Sequence, residues 1–451
     1  MNAASNVSRN RSLHVLLPTM GSAGDVHPYI ALGMELKARG HRVTILTNPI
    51  FQELIEAQGL SFLRVGTAEV ANAAIANPEL WHLRKGFKVI AQIIAPAIAD
   101  VFSLIERHAD SSTVVAFSSL AFGARVAQEK LGVPSASVHL QPSVIRTFAD
   151  QGMMGNIRLS ASSPMWFKRG LFRLIDAVIV DRRLKSPLND LRLHLGMGPV
   201  DRIMHRWMHS PQLVIAFFPE WFAAPQPDWP ANTHAVGFPL WDADGDAAPL
   251  ADAEEFLGAG PAPIIFTPGS AGRTMQRFFR ESVKATQQLG LRAMLVTNYP
   301  EQVPAKLPPS IRVFGYLPFS QVLPRAALLV YHGGVGTLAQ GIKAGVPHLV
   351  VPHGYDQFDS GWRIEQLGLG LSIPETRYRA RRVTRAVETI LGDAAASPRR
   401  AGFAARIDSN DAVARACTLI ESLAPTSGPY QQDRAQGATF GRDSAGAASR
   451  M

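Results

Sequence analysis

The sequence has few charged residues and almost no cysteine. Only 18% of its 451 residues are Asp, Glu, Lys or Arg, and 47% are hydrophobic, a balance that excludes an intrinsically disordered chain. The single cysteine, Cys417, cannot form an intrachain disulfide, and no Cys or His spacing is typical of a zinc site. We therefore expect a globular protein of a reducing, cytoplasmic compartment, with no structural metal.

An uninterrupted membrane-spanning segment is also missing. The polar start of the chain lacks the apolar core of a signal peptide. The most membrane-like stretch, residues 87–105, contains Lys88, Gln92, Pro96 and Asp100, which are costly in hydrocarbon. This stretch is predicted to be a buried or pocket-lining helix.

The basic residues exceed the acidic ones, 45 against 36, which gives a net charge of +9. This excess favours an anionic partner, either a nucleic acid, a lipid headgroup surface or a phosphorylated metabolite. A nucleic acid is the least expected of the three, because the charge is spread along the chain and no recognised binding module is present.

Short apolar runs alternate with helical patterns twice along the chain, which predicts an α/β protein with two doubly wound domains. The predicted strands lie at residues 12–17, 42–47, 61–65, 113–117, 135–140, 263–267, 292–297, 327–331 and 348–351. The predicted helices lie at residues 27–39, 52–58, 120–131, 275–289, 336–344 and 357–367.

Composition divides the chain, because residues 237–263 are rich in Gly, Pro, Ala and Asp and lack apolar periodicity. The predicted organisation is a flexible arm over 1–11, an N-terminal domain over 12–237, a linker over 238–262, a C-terminal domain over 263–405, a helix over 406–424 and a disordered tail over 425–451.

A glycine-rich turn at residues 331–337, with the sequence YHGGVGT, gives the strongest chemical signal. It follows an apolar strand and precedes a helical pattern, so Gly334 and Gly336 would bring backbone N–H groups close to a diphosphate. His332 could donate a hydrogen bond to the same group, and Thr337 could bind an oxygen or cap the helix. The alternative is an ordinary glycine turn with a capping threonine.

Asp356 and Gln357 follow the next predicted strand. A carboxylate beside a carboxamide can hydrogen-bond neighbouring hydroxyls of a sugar. Neither a P-loop nor a complete G-x-G-x-x-G turn is present, so a P-loop NTPase or a typical dehydrogenase is not expected.

These residues resemble the donor signature of the family 1 glycosyltransferases of the GT-B fold, in which two Rossmann-like domains face each other across a cleft. The resemblance covers residues 12–423 and implies that the C-terminal domain binds a nucleoside diphosphate sugar and the N-terminal domain binds the acceptor. By this resemblance the donor-binding residues are Ser270, Tyr316, Leu317, His332, Gly334, Gly336, Thr337, Asp356 and Gln357.

The identity of the nucleobase of the donor, uracil or thymine, stays open at this point. Plant members of the family have tryptophan where this chain has Tyr316, and an aromatic ring there can stack on a base. They have glutamine where this chain has Phe319, so both uracil and thymine are possible.

The first glycine turn, G-S-A-G-D-V-H-P from Gly21, is similar to the motif of the bacterial and sterol-glycosylating branch. Asp25 occupies the position of the catalytic histidine of plant members, and the resemblance implies that it is the catalytic base. Burial beside an acceptor hydroxyl would raise its pKa toward the working range. The alternative is that Asp25 only caps a helix beginning near Pro28. Gly21, Ser22 and His27 would lie on the acceptor side.

Residues 208–240 resemble the bacterial rhamnosyltransferases of rhamnolipid biosynthesis, in segments such as MHSP, FPEWF, DWP and GFPL. The resemblance implies transfer of L-rhamnose from dTDP-rhamnose to a 3-(3-hydroxyalkanoyloxy)alkanoic acid, giving a mono-rhamnolipid glycolipid biosurfactant. The implied enzyme is an inverting hexosyltransferase that needs no cofactor and no metal, with an acyl-chain synthase as a possible partner.

Three alternatives remain open. The first is a glucosyltransferase using UDP-glucose on a lipid, sterol or polyketide, and the second is a GT-B epimerase. The third is a non-catalytic scaffold that binds nucleotide sugars. The sugar, acceptor chain length and oligomeric state are not predictable from these motifs.

Apolar walls for a lipid acceptor are predicted from residues 87–105 and 165–180. Residues 165–185 also contain six basic and three aromatic side chains, which suits peripheral contact with the inner face of the inner membrane. A core helix with a solvated basic face is the alternative. The acidic segment 242–246 is predicted to be a solvated turn and not a metal site.

Overall fold

The computed structural model describes residues 12–82, 85–155, 157–243, 247–408 and 411–425. The predicted N-terminal arm and all of the predicted tail except residue 425 lie outside the described residues, as do residues 244–246 of the acidic segment.

The first half of the chain forms a seven-stranded parallel sheet and a small antiparallel hairpin. The strands are β1 His14–Pro18, β2 Arg42–Thr47, β3 Ser61–Arg64, β4 Thr113–Ser118, β5 Ser135–His139, β6 Gly152–Met154, β7 Ile157–Leu159, β8 Leu213–Ala216 and β9 Thr233–Ala235. The order in the sheet is β3-β2-β1-β4-β5-β8-β9, and β6 pairs with β7 outside it.

The second half forms a six-stranded parallel sheet in the order β12-β11-β10-β13-β14-β15. Its strands are β10 Ile264–Thr267, β11 Ala293–Val296, β12 Ile311–Phe314, β13 Leu328–Tyr331, β14 His348–Val350 and β15 Gly370–Ser372. The central strands are buried along their whole length, as expected when helices cover both faces of a parallel sheet.

Helices connect the strands. They are α1 Ala23–Ala38, α2 Gln52–Ala57, α3 Ala68–Ala76, α4 Gly86–His108, α5 Phe122–Leu131, α6 Met165–Ile175, α7 Asp181–His194, α8 Ala247–Gly258, α9 Gln276–Leu289, α10 Phe319–Val322, α11 Val335–Lys343, α12 Gln357–Gln366, α13 Ala380–Gly392, α14 Ala396–Asp408 and α15 Ala412–Glu421. Two π-helical turns, Asp176–Val180 and Ile203–Trp207, flank α7. The α/β fold with two doubly wound parallel sheets is confirmed.

Three local predictions need correction. Helix α1 begins at Ala23, four residues before the predicted start, because Ser22 and Asp25 form a capping box. Helix α8 lies inside the predicted linker and buries Ala253, Phe256 and Leu257. The sequence analysis also misses β8, β9, β12, β15 and the β6–β7 hairpin, most of which are strands of only three or four residues.

The C-terminal helix α15 returns to the N-terminal sheet. Glu421 accepts hydrogen bonds from Arg39 (3.1 Å) and pairs with His41 (3.0 Å), and Arg415 donates to the carbonyl of Ala235 (3.1 Å). Cys417 is fully buried against α1. The last helix therefore packs with the first domain, although it follows the second in sequence.

Among the described residues, α4 is the one helix long and apolar enough to cross a membrane. About half of its most apolar window is buried inside the protein. Its inward face packs against α5 and α7, which agrees with the prediction of a buried or pocket-lining helix.

Candidate active site

A cavity of about 910 Å³ lies between the carboxyl ends of the two parallel sheets, the edge at which open α/β sheets bind ligands. Every residue that the sequence analysis proposes for the site lines it: Gly21, Ser22, Asp25, His27, Ser270, Tyr316, Leu317, His332, Gly334, Gly336, Thr337, Asp356 and Gln357. The fold thus brings residues from both halves of the chain together, while their individual roles stay predictions.

Asp25 lies in the first turn of α1 and is half-buried at the cavity wall. Its Oδ2 atom accepts hydrogen bonds from the Ser22 backbone N–H (2.8 Å) and the Ser22 hydroxyl (3.1 Å). Within the described part of the chain, no hydrogen bond is donated to Oδ1. Burial raises the pKa of the Asp25 carboxyl, and the two bonds from Ser22 oppose this rise. Asp25 therefore caps the helix and also presents a carboxylate oxygen to the cavity.

Glycine is needed at position 21 to make room for this carboxylate. Gly21 has a φ of 139°, and a Cβ atom there would lie 2.2 Å from Oδ2 of Asp25. Any side chain at this position would displace the carboxylate.

His332 follows β13 and is packed between two glycines on the other side of the cavity. A Cβ atom on Gly269 would lie 2.5 Å from the His332 ring, and a Cβ atom on Gly334 would lie 2.3 Å from it. Burial lowers the pKa of His332 to about 4, so the imidazole is neutral at neutral pH. A neutral ring supplies one N–H donor rather than a positive charge.

The N-terminus of α11 lies beside His332. The first hydrogen bond of this helix runs from Leu338 N–H to the Gly334 carbonyl (2.9 Å). The N–H groups of Val335, Gly336 and Thr337 precede this bond and lie at the positive end of the helix dipole. Together with exposed Ser270 in the loop after β10, they form a suitable anion site.

Asp356 and Gln357 begin α12 after a strained loop. Tyr355 has a φ of 55° and donates a hydrogen bond to the Leu80 carbonyl (2.5 Å). Gln357 Oε1 accepts from the backbone N–H groups of His353 (2.8 Å) and Gly354 (3.2 Å). Gln357 thus has only its amide N–H groups left to offer a ligand.

Asp356 faces Asp25 across the cavity. Burial, and then the negative charge of Asp25, raise the pKa of Asp356 to about 7. Two carboxylates in one enclosed space disfavour the state in which both are ionised. A sugar whose hydroxyls donate to Asp356 would relieve this cost.

The segment before α8 forms part of the cavity wall, which the sequence analysis misses. Asp242 accepts hydrogen bonds from the Ser320 backbone N–H (2.7 Å) and from Gln340 (3.2 Å), and burial raises its pKa. Asp242 is therefore not part of a solvated acidic turn. The Tyr316 hydroxyl accepts from the Ala243 N–H (2.9 Å) and donates to its carbonyl (3.3 Å), which fixes the ring in the wall.

His27 lies one turn into α1, and its ring meets the Trp241 ring edge-on at 4.9 Å. Burial lowers its pKa to about 4. His27 lines the cavity, as Asp25 does.

The N-terminal half of the cavity is walled by apolar side chains from α2, α3, α4, the segments after β4 and β5, and the β6–β7 hairpin. They are Ile50, Leu54, Ala71, Ala74, Ile75, Leu80, Phe87, Ile90, Ile93, Ile94, Leu120, Val138, Leu140, Val144, Met153, Met154, Ile175 and Met204. The predicted contribution of residues 87–105 is seen, whereas residues 165–180 contribute Ile175.

Ser119 is a polar group on this side that motif reasoning misses. Its hydroxyl lies 2.8 Å from Nδ1 of His139, whose Nε2 lies 2.9 Å from Nδ1 of His209. Burial keeps the pKa of both histidines below the ordinary value, so both imidazole rings are neutral, and this series of hydrogen bonds positions the Ser119 hydroxyl. Nothing in the local sequence signals it, because the three residues come from separate elements.

In the described ranges, no cluster of three or more His, Cys, Asp or Glu side chains could hold a metal ion.

Two family models match the chain. The glycosyltransferase family 28 N-terminal domain matches residues 15–149, and the erythromycin biosynthesis protein CIII-like C-terminal domain matches residues 293–418. The two matches correspond to the two sheets that face the cavity.

Relatives of this kind extend over most of the chain. The O-mycaminosyltylonolide 6-deoxyallosyltransferase of Streptomyces fradiae is 28% identical over 92% of this chain and 98% of its own length. A sterol 3-beta-glucosyltransferase of Arabidopsis thaliana is 26% identical over 79% of this chain and 59% of its own length.

Solved structures show the same fold. The kitacinnamycin glycotransferase has a TM-score of 0.69 and 20% identity over 92% of this chain and all of its own. The spinosyn rhamnosyltransferase complexed with thymidine diphosphate has a TM-score of 0.63 and 18% identity over 90% of this chain and 99% of its own. The two family domains, the full-length relatives and the two sheets around one cavity make this chain a glycosyltransferase of the GT-B fold.

Proposed function

We propose that the protein is an inverting transferase that moves L-rhamnose from dTDP-rhamnose to the hydroxyl of a 3-(3-hydroxyalkanoyloxy)alkanoic acid, making a mono-rhamnolipid. One observation carries the proposal: a single cavity joins a polar half suited to a nucleoside diphosphate sugar to an apolar half suited to acyl chains, and Asp25 lies where they meet.

In this mechanism Asp25 removes the proton of the acceptor hydroxyl as that oxygen attacks the anomeric carbon of the sugar. The raised pKa of Asp25 makes it a stronger base than an exposed aspartate. Its Oδ1 atom is the proton acceptor, because Ser22 occupies Oδ2. A single displacement of this kind inverts the anomeric centre.

Negative charge develops on the diphosphate as it leaves. The N–H groups at the start of α11 and the neutral His332 ring donate hydrogen bonds to it in a buried site, where such bonds stabilise developing charge strongly. This arrangement supplies the stabilisation without a metal ion.

The sugar ring lies beside Asp356 and Gln357, which bind neighbouring hydroxyls. Tyr316, fixed by its bonds to Ala243, offers its ring to the base of the nucleotide.

The comparisons favour a thymidine nucleotide, because the name of one structural neighbour gives both a rhamnosyltransferase and bound thymidine diphosphate. They equally favour the second candidate, a UDP-glucose-dependent transferase acting on a sterol or polyketide, because one relative is named a sterol glucosyltransferase. The mainly apolar wall suits either acceptor class.

The test is to incubate the purified protein with dTDP-rhamnose or UDP-glucose and either a 3-(3-hydroxydecanoyloxy)decanoic acid or a sterol, with and without EDTA, and to detect products by mass spectrometry. We expect a rhamnosyl adduct of inverted anomeric configuration. A glucosyl adduct on a sterol in place of it would establish the second candidate, and loss of product on adding EDTA would contradict the metal-free mechanism.

We also propose peripheral contact with the inner face of the inner membrane through the outer face of α6 and the following π-helical turn. This face exposes Trp166 (76%), Leu174 (59%) and Val178 (49%), beside exposed Arg169 and Arg173. Exposed apolar groups beside cations match an anionic bilayer surface. Ile175 on the opposite face lines the cavity, so an acceptor made by an acyl-chain synthase could pass from the bilayer into the site.

Sedimentation with vesicles of phosphatidylglycerol tests this contact. The double variant Trp166→Ser and Leu174→Ser should bind several-fold less tightly than the natural protein, whereas Leu391→Ser, an exposed leucine on α13, should bind normally. Equal binding of all three proteins would refute the contact.

A further inference from the structure

The apolar half of the cavity contains one basic side chain. Of the lining residues that the structure describes, Arg146 is the one lysine or arginine. It follows β5, and its neighbours in the wall include Val144, Met153 and Ile175. A guanidinium with apolar neighbours is costly unless its N–H groups find acceptors.

Among the described residues, the guanidinium of Arg146 is held by one hydrogen-bond partner, which leaves other N–H donors unused. Its Nη1 atom donates to Oδ1 of Asp176, and its guanidinium carbon lies 5.4 Å from the centre of the Phe172 ring. The side chain is 7% exposed. Asp176 is its one hydrogen-bond partner within the described ranges, although a guanidinium carries five N–H donors.

Asp176 is itself shared between two cations. Its Oδ2 atom lies 3.7 Å from Nε of Arg202, a residue with a φ of 50° at the edge of the second π-helical turn. Asp181 completes the cluster, because its carboxylate accepts the backbone N–H of Arg202 at 3.1 Å. The four charges balance formally, so an acidic ligand would engage the N–H groups that Asp176 leaves unused and would not serve to neutralise the cluster.

The position of Arg146 relative to Asp25 fits a bifunctional acceptor. Asp25 follows β1 and Arg146 follows β5, and these two strands are two places apart in the sheet order, roughly 10 Å at the usual strand spacing. Both residues line the same cavity. An acyl ester of moderate length spans such a distance with its hydroxyl near Asp25 and its other end near Arg146.

We propose that Arg146 forms a carboxylate-binding subsite at the far side of the acceptor half, which selects lipids with a free acid group. A carboxylate pairs well with the planar fork of a guanidinium. The inference rests on the proposed function, since it identifies the acceptor class of that site as hydroxylated acidic lipids, and it disfavours sterols and other neutral acceptors.

Equilibrium binding tests the subsite without turnover. We would measure binding of 3-(3-hydroxydecanoyloxy)decanoic acid and of its methyl ester to the full-length protein in the presence of thymidine diphosphate. The natural protein should bind the acid about tenfold or more tightly than the ester, as expected for a charge-assisted hydrogen bond. Equal binding of the two compounds would overturn the proposal.

Variants assign the preference to Arg146. Arg146→Gln leaves Asp176 buried beside Arg202 alone, so the double variant Arg146→Gln with Asp176→Asn removes both charges of the pair and guards against a folding defect. Both should lose the preference for the acid, and should bind the ester and thymidine diphosphate normally. Arg107→Gln, at an exposed position of α4, should keep the preference for the acid. If the double variant also keeps this preference, the assignment of the subsite to Arg146 is refuted.

Turnover separates this subsite from the proposed function. If the acid binds through Arg146 but receives no sugar, the subsite stands and the proposed reaction falls. If acid and ester are glycosylated with the same KM, the reaction stands and the subsite falls.

Discussion

The two halves of the cavity are built in different ways. The half proposed to bind the donor comes from short contiguous turns, such as residues 331–337 and Asp356-Gln357, whose backbone N–H groups and adjacent side chains are the proposed binding groups. The half proposed to bind the acceptor comes mostly from single apolar residues on many separate elements, with polar groups such as Asp25, Ser119 and Arg146 among them.

This difference explains which half a sequence reveals. A turn that holds a diphosphate needs glycine and a helix start at fixed spacing, so its chemistry is written in consecutive residues. An apolar wall needs only volume, so its residues can change while the cavity persists. We expect donor class to be conserved more tightly than acceptor class in proteins built this way.

The sharpest test of this division is Asp25→Asn, at the boundary. The amide cannot take the acceptor proton, so kcat should fall by about 10²- to 10⁴-fold, while thymidine diphosphate should bind as tightly as before. Steady-state kinetics with dTDP-rhamnose and calorimetric titration with thymidine diphosphate measure the two effects. A variant with near-normal kcat would refute the role of Asp25 as the base.

His332→Ala tests the donor half. Removing the one N–H donor of the ring should weaken binding of thymidine diphosphate and lower kcat, each by roughly tenfold. Because the ring is neutral well above a pKa of about 4, both effects should be constant between pH 6 and pH 9. A loss confined to the acid side would mean that His332 acts as a cation.

Ile93→Trp tests the acceptor half, because it fills part of the wall formed by α4. The KM for long acyl acceptors should rise several-fold, with little change for short ones and none in thymidine diphosphate binding. Gln92→Trp, at the neighbouring exposed position, is the matched control. Equal effects of the two changes would show that α4 does not contact the acceptor.

Asp356→Asn has its most informative effect on stability. A carboxyl whose pKa is raised by folding, here to about 7 from 3.8, destabilises the native state progressively as the pH rises between these values. At pH 8 the free energy of unfolding of the variant should therefore exceed that of the natural protein by on the order of a few kcal/mol, and the variant should unfold at a higher temperature. Near pH 4 the two proteins should be equally stable. An equal difference at both pH values would contradict the raised pKa.

Residues with a local physical signature were predictable. Gly21, Asp25, His332 and Gly334 belong to strand-turn-helix units whose spacing fixes their position at the carboxyl edge of a sheet. Strand β2 has the predicted bounds of residues 42–47, and the other predicted strands differ from their predicted bounds by one or two residues at an end.

Features that depend on distant packing were not predictable. Asp242 is half-buried and is held by Ser320 and Gln340 of the second domain. Ser119 meets His139, and His139 meets His209, only after β4, β5 and the segment before β8 align. Lys168, one of the six basic residues of segment 165–185, is buried, and its ammonium donates to the carbonyls of Phe148 and Ala149.

The return of α15 to the first domain links the two domains by two covalent crossings, one at residues 238–262 and one after α14. Two tethers at separate points permit rotation about the line that joins them and resist rotation about any other axis. We therefore expect any closure of the two domains to be a rotation about the line that joins the two crossings. Cutting the chain before α15 should leave both domains folded, but should broaden the distribution of interdomain distances, which fluorescence energy transfer between labelled domains would measure.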